Sequence, residues 1–193
     1  MPKIQDLNRV EVTSVQELRQ WFERNHQQKE SIWIVTYKKN VPHKYVSVKE
    51  VLDEVLCFGW MDGRRMKLDN ERTMQLLSPR KAQHWSKTYK DRVAILTQAG
   101  RMHEAGLKAV ETSKKNGMWD FLNDVDALIK PDDLIAALEQ HPPAVENYEA
   151  FPESAKRDIL RWIKMAKKTE TRAKRINETA KLAAQNKRAS GTK

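Results

Sequence analysis

The chain has 193 residues, and its 39% hydrophobic side chains and six tryptophans supply enough apolar material for a folded core, which excludes a wholly disordered chain. Its 36 basic and 26 acidic residues give a net charge of +10. A single cysteine excludes an intramolecular disulfide, and six glycines leave no glycine-rich nucleotide loop. At this length we expect one domain with an appendage, or two small domains.

The first half of the chain combines helix and strand patterns. Ser14 and Ser47 each begin a Ser-x-x-Glu capping box that is followed by apolar residues at helical spacing. Between them lies a β-branched and aromatic run with apolar residues on both faces, which is typical of a strand covered on both sides. In chain order the patterns predict a helix over 14–27, a strand over 31–39, a helix that ends before Gly59, and a hairpin of 64–68 and 72–77.

From residue 86 onward the strand patterns stop and only helical patterns follow. We therefore predict the α+β class, with a small antiparallel or mixed sheet, packed helices and a helical C-terminal half. The predicted domains are an α+β body over 1–117 and a helical region over 118–193. The predicted helices span 86–99, 103–115, 132–140, 143–149, 154–168 and 170–186.

The charge is uneven along the chain. Residues 1–153 hold 23 basic and 23 acidic side chains, whereas residues 154–193 hold 13 basic and three acidic ones, which is the whole excess of +10. Two interpretations stay open for this basic segment. It forms either a cationic surface for nucleic acid, anionic lipid or an acidic protein, or an amphipathic helix docked on the protein with solvated charges.

The first candidate site lies at residues 56–65, where a predicted helix ends at a glycine and polar residues follow. Trp60 offers a stacking face, Asp62 a carboxylate, and Arg64 a guanidinium that can grip an anion. The alternative is structural: Gly59 caps the helix, Trp60 belongs to the core and Asp62 pairs with a neighbouring arginine.

The second candidate site lies at residues 78–86, between a predicted strand and a predicted helix. Cations and a histidine are followed there by a second indole and by a serine at a helix N-cap position, where free N–H groups attract anions. The alternative is a capped surface loop with a packed tryptophan. The side chains concerned are Arg80, Lys81, His84, Trp85 and Ser86.

Signals for catalysis are weak. Cys57 lies on the apolar face of its predicted helix, where burial would make its thiol inert. The five histidines are scattered and form no His-x-x-x-His pair, so we predict neither a metal site nor a cofactor. The first twenty residues contain no apolar run typical of a secretory signal, and no membrane-spanning stretch occurs, so we expect a cytoplasmic protein.

Segments 56–63, 77–81 and 85–86 resemble the YdeI/OmpD-associated family, also called bacteriocin-protection proteins, and residues 156–176 resemble its OmdA-type C-terminal segment. The resemblance implies a bacterial protein connected with tolerance of bacteriocins or cationic antimicrobial peptides. It implies no reaction and no catalytic residues. Some members are periplasmic partners of an outer-membrane porin, but this sequence departs from them because it shows no export signal.

Two functions are carried forward. The first is a non-enzymatic stress-protection or bacteriocin-protection protein that binds a small anionic or aromatic ligand between the two candidate loops. The second is a nucleic-acid-binding protein that uses residues 154–193. A third hypothesis is an enzyme, which would need Asp62 or His84 in a cleft that excludes water.

Overall fold

A computed structural model describes residues 7–189, so residues 1–6 and 190–193, at the ends of the two predicted domains, lie outside the described residues. The chain forms two compact units, 1–120 and 121–193. The predicted α+β class is confirmed, because the first unit contains a mixed sheet and the described part of the second unit is helical. No helix within residues 7–189 combines the length and the apolar character that crossing a membrane requires.

The first unit is built on a four-stranded sheet in the order β1-β2-β4-β3. Strand β1 runs parallel to β2, and the other two pairs are antiparallel. Its elements are β1 (Arg9–Glu11), α1 (Val15–Asn25), β2 (Ile32–Tyr37), α2 (Val48–Cys57), β3 (Trp60–Lys67), β4 (Arg72–Pro79), α3 (Lys87–Gln98) and α4 (Glu104–Lys115).

Local sequence explains most of these elements. Ser47 and Glu50 form the complete capping box at the start of α2. At α1 the Ser14 hydroxyl accepts from the N–H of Glu17, but the Glu17 carboxylate holds Thr13 instead of closing the box. All six residues of β2 are buried, as the two-sided apolar pattern predicts.

The hairpin is longer than the sequence pattern predicts, because β3 begins at Trp60 directly after Gly59. Gly59 has a φ of +71°, a left-handed conformation that lets the chain turn from α2 into β3. A bulge between Asp62 and Arg65 interrupts the ladder. The first strand, β1, was not predicted because three residues carry too little periodicity.

The second unit contains five helices within its described part: α5 (Asn123–Asp126), α6 (Asp132–Glu139), α7 (Ala144–Ala150), α8 (Glu153–Lys164) and α9 (Thr169–Ala184). Helix α8 ends four residues before its predicted end, and α5 was not predicted. The apolar face of α8 is buried through Ile159, Leu160 and Ile163, as expected for a docked amphipathic helix.

Many basic side chains of α8 and α9 are paired with carboxylates of the same unit. Residues 121–153 carry eight acidic side chains and one basic one, so the whole second unit has a net charge of only +3 and the first unit carries +7. The excess charge therefore belongs mainly to the sheet-containing unit. The pairs are Lys164 with Asp124, Lys156 and Lys130 with Glu149, Arg157 with Glu153, Arg161 with Asp158, and Arg172 with Asp133.

These pairs make the second unit sensitive to acid. A hydrogen bond from Arg172 holds the pKa of Asp133 below its ordinary value, and a hydrogen bond from Lys130 does the same for the pKa of Glu149. The unfolded chain therefore binds protons first as the pH falls below about 4.5, and the stability from these pairs is lost as the pH drops through the lowered pKa values.

We expect Asp133→Asn to lower the free energy of unfolding by about 0.5 kcal/mol at pH 7, because the pair is half exposed and screened, and to have no effect at pH 2. Urea unfolding at a series of pH values measures the difference. Glu139→Gln is the control, since Glu139 forms no ion pair with any described residue. A difference between Asp133→Asn and wild type that stays constant with pH would contradict this account.

Candidate anion-binding pocket

The two candidate loops meet at one end of the sheet. Trp60 pairs with Pro79 across the β3–β4 ladder, and the backbone N–H of Arg80 donates to the carbonyl of Gly59 at 3.1 Å. A hairpin brings its two open ends together, so segments twenty positions apart become neighbours. They border an open pocket of about 860 Å³.

Three parts of the first unit form the wall of this pocket. They are the turn between α1 and β2, the junction of β3 and β4, and one face of α4. The lining residues are His26, Gln27, Gln28, Lys29, Phe58, Gly59, Trp60, Pro79, Arg80, Lys81, His103, Glu104, Ala105, Lys108, Ala109 and Thr112.

Cations outnumber anions in the lining of the pocket. The ammonium groups of Lys29, Lys81 and Lys108 form no ion pair or hydrogen bond with the residues that the structure describes. Glu104 is the only carboxylate in the lining, against four permanently cationic side chains. The wall therefore carries a positive field, and field lines from several like charges concentrate in a concave site.

Arg80 is the most unusual of these cations because its guanidinium is largely buried and forms no salt bridge with any carboxylate that the structure describes. It stacks on the Trp85 indole at 3.8 Å from the ring centroid and lies 5.8 Å from the Tyr89 ring. Nη1 makes a long contact of 3.5 Å with the Gln83 carbonyl, and the buried Nε has no partner among residues 7–189. The guanidinium therefore retains donors for an anion.

Burial lowers the pKa of Arg80 to about 10, although Tyr89 and Asp62 act in the opposite direction. The side chain remains a cation at neutral pH. An anion bound beside it would offset the cost of burying the charge, which is the condition under which arginine–anion contacts contribute most.

Asp62 lies behind this arginine and not in the pocket wall. Its carboxylate accepts from the Tyr89 hydroxyl and, at 3.2 Å, from the amide of Gln75. Burial and that Asp62 bond raise the pKa of Tyr89 well above its ordinary value. Asp62 thus fixes the tyrosine that flanks Arg80, and it pairs with none of the neighbouring arginines in a salt bridge within the described chain.

The stacking roles predicted for the two tryptophans are wrong. Trp60 and Trp85 are both fully buried at 0% exposure, so neither indole offers a face to a ligand. Trp60 packs edge-on against Trp21 and donates through Nε1 to the carbonyl of His26 at 2.9 Å. The Trp85 indole instead packs against the guanidinium of Arg80. The structural alternative, an indole in the core, holds for both.

The remaining predicted residues lie outside the pocket wall. Arg64 is exposed in the β3 bulge. His84 is half-buried and does not belong to the pocket lining. Ser86 occupies the N-cap position of α3, but its side chain makes no capping bond. Of the eight predicted residues, Trp60, Arg80 and Lys81 belong to the pocket lining, and the Trp60 indole is buried behind it.

Part of the pocket lining was not predicted from the sequence. His26, Lys29, His103 and Lys108 lie on the α1–β2 turn and on α4, far from both candidate loops in sequence. One signal was available: Lys108 is on the same helical face as Glu104 and Thr112. Nothing local indicated that this face turns toward Arg80.

Cys57 is buried, as its place on the apolar face of α2 predicts. Burial, together with the charge of Glu54, raises the pKa of this thiol to about 11. A protonated, inaccessible thiol is a poor nucleophile.

Comparisons with known proteins place the chain in a family without a described activity. Residues 10–109, half of the chain, match the family described as a domain of unknown function (DUF8412), so the chain belongs to that family. Residues 127–186 match the OmdA family, described as bacteriocin-protection, YdeI or OmpD-associated, which confirms the resemblance seen in the sequence. No curated protein and no solved structure matches.

Proposed function

We propose that the chain is a non-enzymatic protein of the bacteriocin-protection type whose first unit binds a small organic anion in the Arg80 pocket. The observation that supports this most strongly is the largely buried Arg80 guanidinium, which lies on the Trp85 indole and forms no salt bridge with a carboxylate in the described part of the chain. Long-range attraction comes from the three lysines of the lining, which form no salt bridge with any residue from 7 to 189. The net charge of +7 on this unit acts in the same direction.

The alternative of nucleic-acid binding through residues 154–193 has weaker support. Phosphate binding needs cations that are free to replace counter-ions. Within the described part of this segment, six basic side chains already face carboxylates of their own unit or, for Arg175, a backbone carbonyl. In the pocket of the first unit, four cationic side chains and one carboxylate share the lining, so the proposal assigns anion binding to the pocket.

A thermal-shift screen of carboxylates, phosphates and nucleotides tests the binding proposal. At a hundredfold excess over Kd a ligand stabilises the folded state by about 2.7 kcal/mol, which corresponds to a rise in Tm of about 5 °C. Arg80→Gln keeps an apolar stem on Trp85 but loses the charge. This variant should lower the affinity for the tightest-binding anion at least tenfold, because a buried charge-assisted hydrogen bond contributes about 1.5–3 kcal/mol.

Two further variants separate the pocket from general charge. Arg64→Gln removes an exposed cation outside the pocket and should leave the affinity unchanged. Arg80→Lys keeps the charge without the planar fork and should give an intermediate loss. The proposal fails if no anion stabilises the wild type more than Arg80→Gln, or if Arg64→Gln loses as much affinity as Arg80→Gln.

A further inference from the structure

Two histidines in contact with each other belong to the pocket lining. The rings of His26 and His103 lie 4.7 Å apart between centroids at 61°, near an edge-to-face arrangement. His103 also stacks on the buried Phe58, at 4.7 Å and 25°. The two rings are therefore held by packing and do not hang freely into solvent.

Hydrogen bonds with the backbone select opposite imidazole tautomers for His26 and His103. Nδ1 of His26 lies 3.0 Å from the carbonyl of Phe22, which only accepts, so Nδ1 carries the proton. Nδ1 of His103 accepts the N–H of Ala105 at 3.2 Å in the N-cap of α4, so the proton of that ring is on Nε2. His103 thus presents a donor at Nε2 and His26 an acceptor.

Neither Nε2 atom hydrogen-bonds to a residue within the described range 7–189. The pocket lining therefore includes a donor and an acceptor on two adjacent rings, together with the cations of Arg80 and Lys81. A ligand that uses both sets of groups combines an anionic group with a planar group whose edge carries an acceptor next to a donor. Nucleobases have such edges, for example N7 and the N6 amino group of adenine.

The pocket is too large to be filled by a single inorganic anion. The lining face of α4 runs from Glu104 to Thr112, which corresponds to about 12 Å along the helix. The volume of about 860 Å³ falls in the range of pockets for small organic ligands.

We propose, on the basis of the anion site described above, that the ligand is a free mononucleotide whose phosphate contacts Arg80 and Lys81 and whose base edge is read by His26 and His103. The arginine supplies planar donors to the phosphate. The two histidines supply selectivity, because a base that leaves either Nε2 unpaired loses a hydrogen bond.

The tautomers are tested first, on the full chain. Nitrogen-15 NMR of the histidine side chains at pH 8 should show His26 protonated at Nδ1 and His103 protonated at Nε2. The same tautomer in both rings would overturn the proposal, since the wall would then lack its donor–acceptor pair.

Binding is tested by titration calorimetry with the four nucleoside 5′-monophosphates and with ribose 5-phosphate. At least one mononucleotide should bind tenfold or more tightly than ribose 5-phosphate. His103→Asn retains an N-cap acceptor and His26→Asn retains a donor for Phe22, while both lack Nε2. Each variant should lower the affinity for that mononucleotide about tenfold and leave the affinity for ribose 5-phosphate unchanged.

The outcomes separate this proposal from the proposed function. Binding of ribose 5-phosphate that depends on Arg80, with no advantage for any mononucleotide, overturns the proposal and leaves the anion site intact. Unchanged mononucleotide affinity in both histidine variants also overturns it. Tighter binding of a 5′-phosphorylated tetranucleotide than of the mononucleotide overturns the assignment to a free ligand. Failure of every anion to bind overturns the proposed function as well.

Discussion

Replacing Gly106 by alanine is expected to destabilise the first unit by about 3 kcal/mol, the upper part of the range for overpacked cores. A Cβ at this position would overlap the carbonyl group of Cys57 at the end of α2. Alanine favours a helix interior over glycine by about 1 kcal/mol, so intrinsic propensity alone predicts the opposite sign. The overlap is with backbone, which cannot rotate away, and therefore decides the outcome.

Gly63→Ala is the matched control for this substitution. Its Cβ would meet Leu76 at 3.4–3.6 Å, which is close to ordinary contact, and its backbone is not left-handed. We expect a change of at most about 0.5 kcal/mol. Chemical denaturation of both variants measures the difference. A Gly106→Ala protein as stable as the wild type would show that α4 does not pack this closely on α2.

Glu54→Gln is expected to cost about 3 kcal/mol of stability, because it removes one of two buried carboxylates that hold three arginines. Glu54 is fully buried and binds Arg19 at 3.0 Å and also Arg101. The adjacent Asp53, 2% exposed, forms a two-point contact with Arg92. Breaking a fully buried ion pair costs about 3–5 kcal/mol, and we expect the low end of that range because the Arg19 and Arg101 side chains are 34% and 38% exposed.

The control for this charge removal is Glu111→Gln. Glu111 pairs with Lys115 one helical turn away, and both side chains are more than half exposed. An exposed pair contributes about 0–1 kcal/mol. Urea unfolding at neutral pH should therefore separate the two variants clearly. Equal losses would mean that the Glu54 cluster is solvated and not a structural centre of the unit.

The elements that the sequence predicts well are those whose signals are local. Capping serines and helical spacing locate α1 and α2, and the two-sided apolar run locates β2. The hairpin follows from a turn between two extended segments. The sequence pattern predicted too short a hairpin, because it indicated only that α2 ends near Gly59 and not that β3 begins at the next residue.

The candidate site was only partly predictable. Arg80 and Lys81 stood out as a basic loop, and the hairpin places them beside Trp60. Tryptophan in a polar segment is consistent with a ligand face or with the core, and only tertiary packing decides between them. His26 and His103 are 77 positions apart in the chain, and no local pattern could pair them.

Charge along the chain was misleading for a physical reason. The last forty residues are strongly basic as a linear segment, but α8 and α9 fold with the acidic residues 121–153. The net charge of a segment therefore does not equal the charge of its surface. The larger excess of positive charge lies in the first unit, whose 120 residues include 22 basic and 15 acidic side chains, and the Arg80 pocket belongs to that unit.

The most direct test of the anion site is the side-chain NMR signal of Arg80 during titration with ribose 5-phosphate. The Nε–H resonance of Arg80 should shift in a saturable manner, while that of the exposed Arg64 should not move. If both signals drift together without saturation, or if only Arg64 responds, the guanidinium on Trp85 does not bind an anion and the pocket is not the functional site.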